Sequence, residues 1–486
     1  MKNVAIVNLI EYSPYFFKEI DGKSQIDRIV NYAESLPNVE KIIFLLKDDI
    51  LDDNFNKILK TEWNQEDLIS LFAESSNVFS HLFYFYGDSP LLDIELSKNM
   101  YRDHINYYAE YTFADGYPYG LTPEILDVEI LPALKILAKG DSDKISRSSV
   151  FDIVKKDINS FELETTIAED DLRLLRISLT SDTKRNFNLL NRVVRMGGRD
   201  AKSITNIIKK SPEILMVEPS YVTIDITHGE SQQNSFLPKR GGATQFMSVE
   251  NISIIADKII EYSGDVTYSF VPEYEATTHP DLMEIIRILT KEPNANLFLE
   301  TTGLGWTNEL KKEIKENEKL NIIITLDALD PELYRELRGD RQAEATAFAK
   351  EILTFAGSRV WIQATRMKTN EKDMEQFYRY WQQYTKQIIV QKYSDYNGKL
   401  PDLKVADLSP LKRFPCWHLK RDLHINIDGD VVLCFNDIDG DYSLGSILSD
   451  SIEDIMIKKR EYYTDHIKCV YSDFCRKCDE YYTFNF

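Results

Sequence analysis

Short apolar runs alternate with amphipathic stretches along the first part of the chain, up to about residue 215. VAIVNLI (4–10), KIIFLL (41–46) and HLFYFY (81–86) have the length and the β-branched and aromatic content of buried strands. The periodicity of 26–36 places a helix between the first two. This alternation predicts an α/β sheet of parallel type. The same grammar restarts after Pro219, with strands expected at 221–227, 266–271, 296–301, 321–326, 359–365 and 387–393. Helical patterns at 249–262, 280–290, 308–318, 343–355 and 372–384 separate them. Six βα units in order predict a partial barrel, whose chemistry would sit at the C-terminal ends of its strands.

After about residue 400 the texture changes. LHINI (423–427) and VVLCF (431–435) flank Asp428-Gly429-Asp430 as a hairpin, a short helix is expected near 452–462, and a cysteine-rich tail follows. With 486 residues the chain exceeds one core, and we place domain boundaries at 1–215, 216–400 and 401–486.

Composition narrows the function. A formal charge of −21, from 58 basic and 79 acidic residues, argues against nucleic acid as the main partner, because phosphate binding needs a concentrated basic face. The apolar run at the N-terminus is broken by Asn8 and Glu11 and reads as a first strand rather than a leader. No stretch reaches the ~18 apolar residues that span a bilayer. A cytoplasmic protein without membrane attachment is expected.

All five cysteines lie at or after position 416, in the order Cys416, Cys434, Cys469, Cys475, Cys478. An odd number in one segment does not suit a secreted disulfide framework and reads as a ligand set. The terminal C-x-x-C lets two thiolates meet on one metal or cluster edge. Four thiolates suit tetrahedral zinc or a [4Fe–4S] cubane, and spacing alone does not choose between them. A redox dithiol is a further reading of the C-x-x-C pair.

The segment FPCWHLKRDLHINIDGDVVLCFND, then LGSILSDSIEDI and CRKCDEYY, resembles the SPASM module that follows many radical SAM barrels. Full members carry seven cysteines and two clusters. Five cysteines here imply one [4Fe–4S] cluster, with Cys469 spare or exchanging with a neighbouring ligand.

Residues 220–400 are similar to a radical SAM domain. Tyr274-Glu275-Ala276 stands where that family has Gly-Glu-Pro, ETTG (300–303) where it has Glu-Thr-Asn-Gly, and ITLDALDPELYRELRG (324–339) matches its Ser-Leu-Asp-Ala segment. WIQATRMKTNEKDMEQFYRYW (361–381) fits the fifth strand and its helix. The cysteine loop that would hold the S-adenosylmethionine-binding cluster is missing: the first strand runs into residues 228–234, without one cysteine. The resemblance therefore implies a barrel that makes no radical. Glu275 is kept as a residue for binding intact S-adenosylmethionine, and His228 and Glu230 are kept as alternative metal ligands.

YGDSPLLDIEL (86–96) and YAEYTFADGYPYGLTPEIL (108–126) are similar to cytidylyltransferase-like sugar nucleotidyltransferases. The resemblance implies magnesium at Asp88, a sugar site shaped by Tyr117, Pro118, Gly120, Leu121 and Glu124, and a second aspartate at Asp182. The glycine-rich triphosphate loop of that family is replaced by residues 11–17, leaving Lys23 as the nearest cation. Lys239-Arg240-Gly241-Gly242 reads as an ordinary loop.

Together these features resemble the spiro-SPASM family. The implied architecture is α/β: a nucleotidyltransferase-like, Rossmann-like domain, a partial (β/α)6 radical SAM-like barrel and a small SPASM domain. The implied function is an iron–sulfur protein acting on a partner enzyme or peptide substrate as an electron-transfer or recognition module. A nucleotide-binding enzyme using Asp88 and magnesium, and an atypical radical SAM enzyme, are the alternatives.

Overall fold

The computed structural model describes residues 1–228, 234–238 and 244–483. It divides into two compact units, Met1–Val217 and Glu218–Phe486, both of mixed α/β build with parallel strands.

In the first unit the strands are β1 (Asn3–Leu9), β2 (Val39–Leu46), β3 (Lys57–Leu59), β4 (His81–Tyr86), β5 (Tyr111–Asp115), β6 (Glu124–Asp127) and β7 (Leu163–Ile167). They lie in the order β3-β2-β1-β4-β6-β5-β7. β1 is central, and its successive side chains serve opposite faces. Val4 and Ile6 enter one core with Leu68, Phe72 and Leu134. Ala5, Val7 and Leu9 enter another with Ile29, Tyr32 and Met100. A strand covered on both faces needs a near-continuous apolar run, which is what VAIV (4–7) supplies ahead of Asn8. β1 pairs in parallel with β2 and β4, but β6 is antiparallel to both β4 and β5. The sheet is mixed, a departure from the parallel type expected, because the link from β5 to β6 is too short for the crossover a parallel pair requires.

The second unit carries β8 (Tyr221–Ile224), β9 (Val266–Phe270), β10 (Ala295–Thr301), β11 (Leu320–Thr325), β12 (Val360–Arg366) and β13 (Ile388–Lys392). They pair side by side, in parallel and in chain order. Helices Val249–Ser263, Leu282–Leu289, Asn308–Glu316, Pro331–Arg338, Gln342–Ala356 and Met374–Trp381 make the crossovers. Their starts are set locally: Ser248 and Thr307 accept from the third helical amide, and Asp330 accepts from Glu332 and Leu333 ahead of Pro331.

The chain then returns through β14 (Asp422–Ile425), which joins the free edge of β8 in parallel. β15 (Asp430–Val432) and β16 (Ser443–Ser446) follow antiparallel. The β14–β15 turn is shorter in strand than the pattern suggested. Asn426 accepts from the amides of Asp428 and Asp430 at 3.1 and 2.8 Å, and Gly429 sits at φ 86°, so the ladder ends there.

At the end of β11, Asp327 is fully buried at φ 61°. One carboxylate oxygen accepts from Arg338 Nε and the other from the Thr365 amide, both at 2.6 Å, while its carbonyl accepts from Asn370 at 2.8 Å. One residue thus ties β11, β12 and helix Pro331–Arg338 together. Removing one partner of a buried pair strands the other charge, so Asp327→Ala should cost the second unit about 3–5 kcal/mol. Urea unfolding followed by the second unit's transition checks this; a midpoint equal to that of the parent protein would refute the role.

Candidate functional site

The cysteine-bearing segment is built on the β14–β15–β16 extension. Cys416 immediately precedes helix Trp417–Arg421, whose Trp417 amide donates to the Tyr481 carbonyl at 3.0 Å. Cys434 follows β15, with its carbonyl accepting from the Asp437 amide at 3.0 Å. Cys475 lies in the short helix Asp473–Arg476, its amide held by Ser472 Oγ at 3.2 Å. The Cys478 amide donates to the Cys475 carbonyl at 3.2 Å, the tight turn expected of C-x-x-C. Arg413 closes this turn from outside by donating to the Cys475 and Arg476 carbonyls at 2.8 and 3.3 Å.

These four thiols face one another electrostatically. Burial pushes all four pKa values up. Cys416 is raised further by Cys478 and Cys475, and Cys434 by Cys478, Cys416 and Cys475. Cys478 reaches about 11 even though the Glu480 amide donates to its sulfur at 3.3 Å. Without a cation the set stays protonated; a bound multivalent iron centre would favour the thiolates instead. The donor chemistry therefore fits an iron–sulfur cluster. No group of three or more His, Cys, Asp or Glu side chains among the described residues is arranged to hold a single metal ion.

Cys469 stands apart. It is exposed, has φ 58°, and its thiol acts on Tyr471. Beside the four thiols the helix Ile452–Ile467 buries Lys459, whose pKa is lowered to about 8 by burial against the opposing pull of Asp422, Cys416 and Cys434. Burial alone would raise the Asp422 carboxyl, but Arg421 and His418 hold it well below the usual range. His418 Nδ1 lies 2.6 Å from Asp422.

Above the parallel strands, Glu275 is buried with both oxygens engaged. Oε1 accepts from Thr301 Oγ1 at 2.7 Å and Thr277 Oγ1 at 3.3 Å; Oε2 accepts from the Thr302 amide at 2.7 Å and its hydroxyl at 2.6 Å. It fastens the loop after β9 to the end of β10. Glu300 lies on β10, pushed up to about 7 by burial, and accepts from Thr325 and Gln363 at 2.9 Å each. His228 pairs with Asp225 at 2.7 Å and stacks on Tyr274 at 4.7 Å, so its ring is already engaged by protein. Glu230 and residues 239–242 lie outside the described residues. Because the chain has no cysteine before 416, nothing in the β8–β13 region supplies the thiolates of an S-adenosylmethionine-binding cluster.

In the first unit, Asp88 follows β4 and is buried, with Ser89 Oγ donating to it at 3.1 Å. The structure brings Asp182 beside it, and Arg147 lies between them: its guanidinium is 2.5 Å from Asp88, 3.8 Å from Asp182 and 4.4 Å from the Tyr86 ring centroid. Arg147 was not legible as a site residue, since nothing in RSSV marks it out. A divalent cation would have to displace this guanidinium, so magnesium does not fit the pair as it stands. Glu124, on β6, accepts from Tyr111 at 2.5 Å and is raised to about 7 by burial. Gly120, at φ 92°, passes the Leu179 carbonyl so closely that a Cβ would lie 2.7 Å from it.

Removing the guanidinium should create what it pre-empts. Arg147→Ala leaves two neighbouring carboxylates uncompensated, and Mn²⁺ affinity should rise at least about tenfold over the parent protein. Electron paramagnetic resonance of free Mn²⁺ reads this, with Asp88→Asn in the same background abolishing the gain; equal affinity in parent and variant would contradict the assignment.

Residues 416–479 match the family model of SPASM, an iron–sulfur cluster-binding domain. An "Uncharacterized protein" of Treponema pallidum (strain Nichols) is 32% identical over 358 residues, 70% of this chain and 99% of the relative. Among solved structures, Streptococcus suis SuiB bound to precursor peptide SuiA is similar at 13% identity and TM-score 0.45, covering 68% of this chain and 78% of that one. A cytidylyltransferase from Leptospira borgpetersenii is similar at 15% identity and TM-score 0.36, covering 44% of this chain and 95% of that one. The chain belongs to the family of the Treponema pallidum protein, and its C-terminal region is a SPASM iron–sulfur cluster-binding domain.

Proposed function

We propose that this is a one-cluster protein of the spiro-SPASM type, in which Cys416, Cys434, Cys475 and Cys478 hold a single [4Fe–4S] cluster and the preceding β/α region makes no radical. The observation that carries this reading is the electrostatic contact among those four thiols within the SPASM match, a contact in which Cys469, although inside the same match, takes no part. Bound there, the cluster supplies one-electron transfer. The chain's own residues bury it, donate N–H groups to Cys478 sulfur, and place the Lys459 side chain beside Cys416 and Cys434.

The role we assign is electron transfer to, or recognition of, a partner enzyme or peptide substrate, and the (β/α)6 region serves as its scaffold. The threonine-saturated Glu275 and the cysteine-free strand ends favour this over an atypical radical SAM enzyme. The nucleotide-binding reading of the first unit draws on the adjacency of Asp88 and Asp182, with Arg147 in place of magnesium.

Two assays separate these readings. After anaerobic purification, alanine at Cys416, Cys434, Cys475 or Cys478 should remove most of the iron and sulfide, whereas Cys469→Ala should retain them. The reduced protein given S-adenosylmethionine should release no 5′-deoxyadenosine. Loss of iron in Cys469→Ala would revise the ligand set, and 5′-deoxyadenosine formation would overturn the non-radical assignment.

A further inference from the structure

Lys459 lies in the middle of helix Ile452–Ile467 and is 1% exposed. Its ammonium has no hydrogen bond or ion pair with any described residue. The neighbouring Lys458, by contrast, donates to the Leu444 carbonyl at 2.8 Å. An ammonium withdrawn from water without a partner is among the most costly groups a fold can bury, so its surroundings must supply compensating charge. Lys459, Tyr463 and His466 are all buried and recur at the four- and three-residue spacing of one helical face. His466 Nδ1 accepts from the Cys416 amide at 3.4 Å, so that face is turned toward the first thiol.

The charges that act on the ammonium identify its counterpart. Burial disfavours its charge; Asp422, Cys416 and Cys434 favour it, and Arg421 opposes it. Asp422 does not account for the lysine, because its carboxylate is already paired with Arg421 Nε and His418 Nδ1 lies 2.6 Å from it. The thiols remain, and they become anionic when they hold iron. Two N–H donors address the same centre: the Glu480 amide lies 3.3 Å and Asn436 Nδ2 lies 3.9 Å from Cys478 Sγ. One-electron reduction adds a negative charge to a cluster held by thiolates. A fixed cation and N–H groups turned toward the sulfurs favour that added charge and so raise the potential at which it is taken up.

We propose that Lys459 is the built-in counter-ion of the cluster and holds its reduction potential up, so that the centre takes an electron from a one-electron donor more readily than the four cysteines alone would allow. Lys459 acts through its charge, as a positioning residue, and no bond to iron is assigned to it. The inference rests on the one-cluster reading above and names how that site is tuned.

The test is an anaerobic potentiometric titration of the full chain, followed by electron paramagnetic resonance of the reduced cluster, with iron and sulfide determined on each sample. Lys459→Met removes the charge at nearly constant volume, Lys459→Gln is a second neutral variant, and Lys459→Arg keeps the charge. At the midpoint potential of the parent protein, the ratio of reduced to oxidised cluster should fall at least about tenfold in the neutral variants. For a one-electron couple that is a shift of about 59 mV to lower potential. Lys459→Arg should lie closer to the parent than either neutral variant. Equal ratios in the parent and the neutral variants, or a shift to higher potential, overturn the proposal. Loss of iron and sulfide from both neutral variants but not from Lys459→Arg supports it, since the charge is then needed to hold the centre at all. Loss from all three overturns it, because the side chain is then required for its shape. A parent chain with no iron–sulfur signal removes the one-cluster reading itself, and the proposal with it.

Discussion

The pairing of β14 with the free edge of β8 is the constraint on which the rest of the second unit depends. Asp422, Leu423, His424 and Ile425 align with Tyr221, Val222, Thr223 and Ile224. A parallel partner on an exposed edge satisfies backbone groups that would otherwise face solvent or a foreign strand. It also sets the thiol positions: Cys416 lies one short helix before β14, and Cys434 lies just past β15, its hairpin partner. The same register brings His424 and Asn426 against the loops after β8 and β9.

Charges placed next to that strand follow from the same geometry. Asp422, Arg421, His418 and Lys459 are all nearly excluded from water, an expensive arrangement unless each compensates another. Asp422 does this for two cations at once: it is paired with Arg421 and favours the charged form of Lys459, while His418 Nδ1 lies 2.6 Å from its carboxylate. Lys459 and the four thiols are in turn mutually suited, since thiolates on iron would bring negative charge to a buried cation. In the first unit the logic is similar: Arg147 lies between Asp88 and Asp182 and offsets their charge.

Much of the scaffold was legible because the physics behind it is local. The runs at 4–10, 296–301 and 321–326 are strands whose periodicity and bounding turns need no knowledge of a partner. The helical patterns at 249–262 and 308–318 begin where the structure starts its helices Val249–Ser263 and Asn308–Glu316. What remained hidden was long-range. Nothing in LHINI says that it pairs in parallel with a strand two hundred residues earlier, and nothing in residues 111–127 says that β6 inserts antiparallel between β4 and β5. At the sites, the C-x-x-C turn was readable from spacing, but the separation of Cys469 from the other thiols needed the left-handed backbone at its position. Arg147 carried no motif at all; only the carboxylates facing it mark it.

The most direct measurement of the central claim is Mössbauer spectroscopy of the protein produced on iron-57 and kept anaerobic, with zinc determined on the same sample. The account predicts the signature of one [4Fe–4S] cluster per chain and no stoichiometric zinc. Two clusters per chain would mean that the β8–β13 region holds iron after all, and one zinc in place of iron would make the cysteine segment purely structural.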